Sequence, residues 1–490
     1  MIGLARLSIL ATSALLAGCA TSGTLDVSDP KAGFTAVAGR TTSVTGQQPV
    51  WIQSNAEAQA TADKIRSLVR GKTIDADLAV KVALLNNKGL QAAYADIGTS
   101  AAELWQESLP VNPSFGIGVT GIDPVRVIES AVVTNIMSAI TRPRRMAVAD
   151  ARFRQAQLVA AEATLRLAAD TRRAWINAVA SNEALGYLYK AQQTADAASE
   201  LAKKLGETGA FPKTAQAREH VLYAELAGQS ASARLEARNA REALNRAMGL
   251  WGADIDYKLP GSLSKLPARG ADKRAIEAEA LRNRVDLEIA RLELEALAQS
   301  YGLTKATRYV SDVNLLAGVE VERETEEAEE EGASPKTKTE VVPVIDLEFT
   351  IPIFDTGQAR MRQSEMAYMR AANLLAERAV NIHSEARQAH NARQATYDIA
   401  RHYRNSVVPL RTAIAEQATL TYNGMITNTF ELLADTRART DSLLQSVNAK
   451  RDFWLADAAL ATAVYGGGGA PAEAAGGEAT PAAASAGGGH

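Results

Sequence analysis

Residues Val341 to Glu365, VVPVIDLEFTIPIFDTGQARMRQSE, change hydrophobic period halfway along. In the first half Ile345, Leu347, Phe349 and Ile351 fall on one side, Asp346, Glu348 and Thr350 on the other. Period two over that length predicts a strand with one greasy and one wet side. Pro352 then removes a backbone donor, and Asp355-Thr356-Gly357 supplies a helix N-cap and a turn. From Gln358 to Leu420 the pattern is helical for about sixty residues, about 90 Å of helix, interrupted only by Pro409. Upstream, Asp312 to Glu322 alternates too, with Val313, Leu315, Ala317, Val319 and Val321 set against Asp312, Asn314, Gly318, Glu320 and Glu322. The two strands predict a hairpin with hydrocarbon on one side and water on the other. The run between them, ERETEEAEEEG, predicts a solvated external loop.

A helix of that length buries its apolar stripe only against other long helices, as a coiled-coil-like bundle. The composition agrees: aromatic residues make up 5% of the chain, and Ala, Leu, Glu, Arg and Gln are abundant. A formal net charge of −3 leaves no basic footprint, so nucleic acid is not an expected partner.

The helix–hairpin plan occurs twice. Helices are predicted over Ile52–Val69, from Thr73 to Leu109, over Arg144–Lys204 and over Lys213–Met248. Phe115, Ile117 and Val119 alternate with glycines as a short strand. Val127 to Ile140 fits helical spacing better than alternation, through Ile128, Val132, Val133, Ile136, Met137 and Ile140, which leaves the second strand of this first hairpin open. After the connector GLWGADIDYKLPGSLSKLP come a helix over Asp272–Tyr301, the 312–351 hairpin, the long helix, a turn at Asn423-Gly424 and a last helix over Thr429–Val464. This is an internal repeat of roughly 200 residues, dividing the chain into 50–260 and 261–465. Four strands do not close a barrel, and open edges are not tolerated in lipid; three copies would supply about twelve strands. The fold class expected is mainly α with a small β part: long helices forming an α-barrel, with hairpins contributing to a trimeric β-barrel.

The N-terminus reads as an export signal over 1–18, with Arg6 before the apolar stretch Leu7–Ala17. LAGC resembles the bacterial lipobox, which implies lipidation at Cys19, the only cysteine in the chain. Ala20 in the next position implies export to the outer membrane. Residues 19–49 then read as an extended tether from the lipid, and 466–490, GGGGAPAEAAGGEATPAAASAGGGH, as a low-complexity tail. No disulfide forms within a chain that has one cysteine.

Several stretches, taken in order, carry a family resemblance: LAVKVALLNNKGLQAAYADIG, VNPSFGIGV, TRPRRMAVADARF, GLW, PIFDTGQARMRQSE and YNGMITNTFELLADTR. From about Thr73 to Tyr465 the chain resembles the TolC-like outer membrane efflux proteins, in their lipoprotein branch. The resemblance implies a homotrimer, an outer-membrane β-barrel continuous with a periplasmic helical tunnel, a periplasmic adaptor and an inner-membrane efflux pump. It equally admits the exit duct of a type I protein-secretion system. A structural lipoprotein bridging the envelope is the reading from another class, although it needs no alternating hairpins.

No nucleophile–base pair, phosphate loop or HExxH stands in the chain, so no catalysis, cofactor or metal is expected. Asp346, Glu348, Glu320 and Glu322 share the wet side of the hairpin, where they hydrate a lumen or favour cations. His383 and His390 read as solvated residues on a coiled-coil face rather than as a metal relay. Pro143-Arg144-Arg145 and Arg360-Met361-Arg362 each open a long helix beside the sheet, solvated or set against anionic headgroups. Gly209 and Gly424 mark the two distal turns, which in the resembled family are the periplasmic tips. Glu431 and Asp435, four apart and on one helix face, correspond to acids lining the closed end. Gly424 can take a positive φ at its turn, where a β-branched replacement should distort the tip.

Overall fold

The computed structural model describes residues 27–121, 125–209, 212–268, 275–310, 312–326, 336–424, 426 and 429–467. Cys19 and the signal segment, the middle of the acidic run and residues 468–490 of the tail lie outside the described residues. The first half of the chain comprises α1 (Phe34–Thr45), α2 (Asn55–Val69), α3 (Ala76–Asn86), α4 (Lys88–Ser108), β1 (Ser114–Thr120), β2 (Val125–Asn135), α5 (Ile136–Glu207) and α6 (Lys213–Met248). The second comprises α7 (Ile276–Asn283), α8 (Val285–Ala306), β3 (Val313–Glu326), β4 (Lys336–Phe349), α9 (Gln358–His402), a π-helical turn at Tyr403–Val407, α10 (Val408–Asn423) and α11 (Thr429–Tyr465). Helix pair, hairpin, long helix, turn, long helix thus occurs twice. The chain is mostly helical with one small antiparallel sheet.

Several boundaries differ from the sequence expectation, each for a local reason. The stretch read as helix from Thr73 to Leu109 breaks at Asn87, whose φ of −66° and ψ of 119° leave the helix. Its Oδ1 accepts from the Leu90 N–H, which starts the next helix, and its Nδ2 donates to the Ala247 carbonyl at the end of α6. The second repeat breaks at the matching place, Arg284, with φ −67° and ψ 121°. The helix from Gln358 carries its π turn just before Pro409, whose ring nitrogen has no proton for the Asn405 carbonyl. Residues 34–45, expected as extended tether, are helical. Val37 and Thr41 are buried there, and Arg40 pairs with Glu288 at 2.7 Å.

The largest correction concerns Val127–Ile140. Residues up to Asn135 form strand β2, paired along its whole length with β3 and over Val127–Val133 with β1, and only Ile136 onward is helical. Helix α5 therefore starts before Pro143, which lies inside it. The reading failed because β2 is a central strand carrying Val127, Ala131 and Val133 on the face that its neighbours make polar. Both of its faces are then apolar in places, and period two is blurred. The acidic run is also partly strand, since β3 continues through Glu326 opposite Lys336–Thr339.

Of the described residues, 27–36, 95–157 and 292–369 form one compact unit, and 37–94, 158–291 and 370–467 form another. The second has the larger core. Val69, Ile74, Val82 and Ala83 pack on Trp175, Ile176, Val179, Leu244, Met248 and Tyr257. The Trp175 indole N–H reaches the Ile74 carbonyl at 2.9 Å, and Tyr257 donates to Asn245 Oδ1 at 2.7 Å. Burial pushes the Tyr257 hydroxyl up to about 12. Lower on the helices, alanines at 168, 178, 195, 386, 400 and 449 are buried, so helix backbones approach closely. No described helix is long and apolar enough to cross a membrane, which leaves the sheet untouched as a candidate.

Candidate functional site

The first unit carries a four-stranded antiparallel sheet in the order β1-β2-β3-β4. Its register sorts every side chain by face, because directly opposed residues share a side. Phe115, Ile117 and Val119 of β1 lie opposite Val132, Ser130 and Ile128 of β2. Those lie opposite Ala317, Val319 and Val321 of β3, which in turn face Ile345, Pro343 and Val341 of β4. Leu315 opposite Leu347 and Val313 opposite Phe349 extend the same side. One face of the sheet is therefore apolar from Val313 and Phe349 to Val119, Ile128, Val321 and Val341, interrupted by Ser130 and Thr134, and beyond that band the same side turns polar at Arg126, Arg323 and Thr339. The band is also uncovered: Ile345 is 81% exposed and Phe115 65%. Leaving a Val, Ile or Phe in water forgoes about 1.5–3 kcal/mol relative to burying it. A dozen such side chains on one face call for a hydrocarbon neighbour.

The other face is acidic. Glu320 and Glu322 stand on β3 and Asp346 and Glu348 on β4, all on this side, as alternation predicted. The register adds Glu129, directly opposite Glu320, and Glu340, directly opposite Glu322, while Glu324 faces Lys338. Glu129 was hidden in the segment read as helical, and Glu340 stands one residue before Val341, where the alternating stretch was taken to begin. Like charges directly opposite each other in a ladder are destabilising, so this face favours water and cations near it. Where the strands meet the helices, Asn135 closes the polar face. Its amide donates to Asp312 and to Asn314 Oδ1, and its own Oδ1 accepts from the Ser138 N–H to start α5. Among the described residues, the outer edges of β1 and β4 have no further strand beside them.

The arginines expected beside the sheet divide between roles. Arg145 pairs with Glu107 at 3.0 Å and Arg142 donates to the Ser108 carbonyl, tying α5 to the end of α4. Arg362 pairs with Glu365 at 2.9 Å, while Arg144 is exposed. Neither His383 nor His390 is simply solvated. His383 Nδ1 meets Glu277 Oε2 at 2.8 Å, and His390 Nε2 meets the Gln394 amide at 3.0 Å.

The two distal turns differ. Gly209 has φ +76°, a left-handed conformation that L side chains rarely adopt, and its N–H donates to the Gly206 carbonyl at 3.1 Å. Gly424 has φ −78° and ψ 2°, an ordinary helix-ending conformation, and a Cβ there would make only van der Waals contacts at 3.5 Å or more. The positive φ open to Gly424 is thus not used, and its N–H still bonds back to the Leu420 carbonyl as in a helix. Glu431 lies in the first turn of α11 and is exposed; Asp435, one turn on, is half-buried. Beside this end of α11, Arg437 pairs with Glu225 of α6 at 3.1 Å.

At the break in the second repeat, the Arg284 guanidinium, with its side chain 4% exposed, grips Asp286 at 2.9 and 2.7 Å and reaches Glu385. Its charged partners hold its proton more firmly than usual, against the opposing pull of burial.

No protein-family model matches this chain. No curated protein matches it either. Solved structures do. A membrane protein from Pseudomonas aeruginosa aligns with TM-score 0.65 at 16% identity over 79% of this chain and 92% of that one. The CmeC outer membrane channel of Campylobacter jejuni aligns with TM-score 0.64 at 17% identity, over 84% and 87%. The open state of the Neisseria gonorrhoeae MtrE outer membrane channel aligns with TM-score 0.62 at 15% identity, over 82% and 89%. Long helices with a few antiparallel strands are the arrangement that this chain shares with them: its fold is that of the outer membrane channels.

Proposed function

We propose that this chain is an outer-membrane exit duct of a tripartite efflux system. In this reading three copies associate, each bringing four strands, so that about twelve strands close a barrel and no edge faces lipid. The apolar face meets the bilayer, and the acidic face with Glu129, Glu320, Glu322, Asp346 and Glu348 lines a water-filled lumen. The helix pairs extend into the periplasm toward an adaptor and an inner-membrane pump. Cys19 carries lipid. The observation supporting the reading best is the apolar band of a sheet whose two outer edges have, among the described residues, no further strand beside them.

The duct is passive, and its closed end lies at the distal turns. Three copies of Glu431 and Asp435 brought near one axis repel unless partnered, so a small bias from a docked adaptor shifts the closed population. Purified full-length protein in planar lipid bilayers should give discrete ion-conducting steps, and Glu431→Ala should raise the resting conductance. Protein that inserts, stays assembled and yet never conducts would leave a purely structural bridging role in place of the duct.

A further inference from the structure

Past Phe349 the chain leaves the sheet but keeps its parity. Ile351 and Ile353 continue the apolar side of β4, both more than half exposed, and Phe354 is fully exposed. This segment is held firmly. The Ile353 N–H donates to the Ile351 carbonyl at 2.9 Å, the Gly357 N–H to Asp355 Oδ1 at 2.8 Å, and Arg308 Nε to the Thr356 carbonyl at 2.9 Å. Gly357, buried at φ +72°, sits where a Cβ would lie 3.0 Å from the Arg308 side chain. A loop anchored at its polar end thus presents three large apolar side chains outward, which is a costly arrangement for an isolated chain.

A second exposed apolar patch lies at the opposite edge of the same sheet. Leu109 and Val111, just before β1, are exposed, as is Trp105 one turn earlier in α4. β4 runs toward the helices and β1 away from them, so joining the β4 edge of one copy to the β1 edge of another continues the antiparallel alternation unbroken. That union brings the foot of β4 beside the foot of the neighbouring β1. The two patches are then complementary surfaces of a head-to-tail ring contact, the kind that closes cyclic oligomers. We propose that Ile351, Ile353 and Phe354 form a prong that seats on Trp105, Leu109 and Val111 of a neighbouring copy and fastens the two sheet edges below the barrel.

The inference rests on the assembly proposed above, and the test separates the two. The photocrosslinker p-benzoylphenylalanine is placed at position 354 of the full-length protein in outer-membrane vesicles and irradiated. Chain–chain adducts are expected, running as dimers and trimers on denaturing gels, with the linked peptide mapping to residues 105–111. A link within one chain does not explain such a map, because β1 and β4 stand about three strand spacings, roughly 14 Å, apart. Phe354→Ala should speed trimer dissociation roughly tenfold, as for an anchoring aromatic, with helix content unchanged. If native mass spectrometry shows trimers while position 354 labels lipid only, the prong belongs to the bilayer and the proposal falls with the assembly intact. If the protein is monomeric in the membrane, both the assembly and the prong fall.

Discussion

Neutralising Asp346 and Glu348 together tests whether the acidic face sets ion selectivity. Both are exposed on the polar side of β4, and Asp346 stands opposite Leu316, with no cation beside it in the ladder. Asp346→Asn with Glu348→Gln removes two of the carboxylates that the register places on this face beside Glu129, Glu320, Glu322, Glu324 and Glu340. In a ring of three copies that is about six charges. A carboxylate about 10 Å from an ion in water interacts with it by about 0.4 kcal/mol, cut to about 0.15 kcal/mol by 0.1 M salt. Six of them amount to about 0.9 kcal/mol, lost to a cation and gained by an anion. The two effects combine in the permeability ratio, which should fall roughly 20-fold. Reversal potentials across a salt gradient in planar bilayers read that ratio directly. An unchanged reversal potential in a conducting double variant would refute the assignment of this face to the lumen and leave its acids with hydration alone.

The two turn glycines should respond in opposite ways: Gly209→Ala is expected to cost about 1–2 kcal/mol in the turn, whereas Gly424→Ala is neutral or stabilising by about 0.4–1 kcal/mol. Hydrogen exchange of the helix ends flanking each turn measures the difference, and equal responses would overturn the backbone argument. Arg284→Ala should destabilise the fold by about 3–5 kcal/mol, because Asp286 is left buried without its partner; chemical denaturation of purified protein checks it, and a loss below about 1 kcal/mol would show that water replaces the guanidinium. Mass spectrometry of the mature N-terminus should find an acylated Cys19, and Cys19→Ser should release the chain from lipid anchorage while leaving the sheet competent to insert. An unmodified mature chain beginning elsewhere would remove the lipid from the proposal.

The strands β3 and β4, the long helices and the doubled plan are legible in the sequence because each is written in local periodicity. One dry face and one wet face leave period two in β3 and β4, and Asp355-Thr356-Gly357 marks the passage from strand to helix. The break at Asn87 was also within reach, since an Asn-Asn pair both ends and starts helices. Strand β2 was not. Its apolar residues on the acidic side imitate a helical stripe, and only pairing with β1 and β3, the latter nearly two hundred residues away, holds it extended. The same pairing put Glu129 opposite Glu320, and the β3–β4 register added Glu340 and Glu324 to the four acids that alternation had marked. At the turns, glycine in the sequence says only that a positive φ is permitted; the surrounding hydrogen bonds required one at Gly209 and not at Gly424. Local pattern reports which side of an element is dry. Which residues meet across strands, and which backbone angles are needed, depends on contacts far along the chain, and these exist only once it is folded.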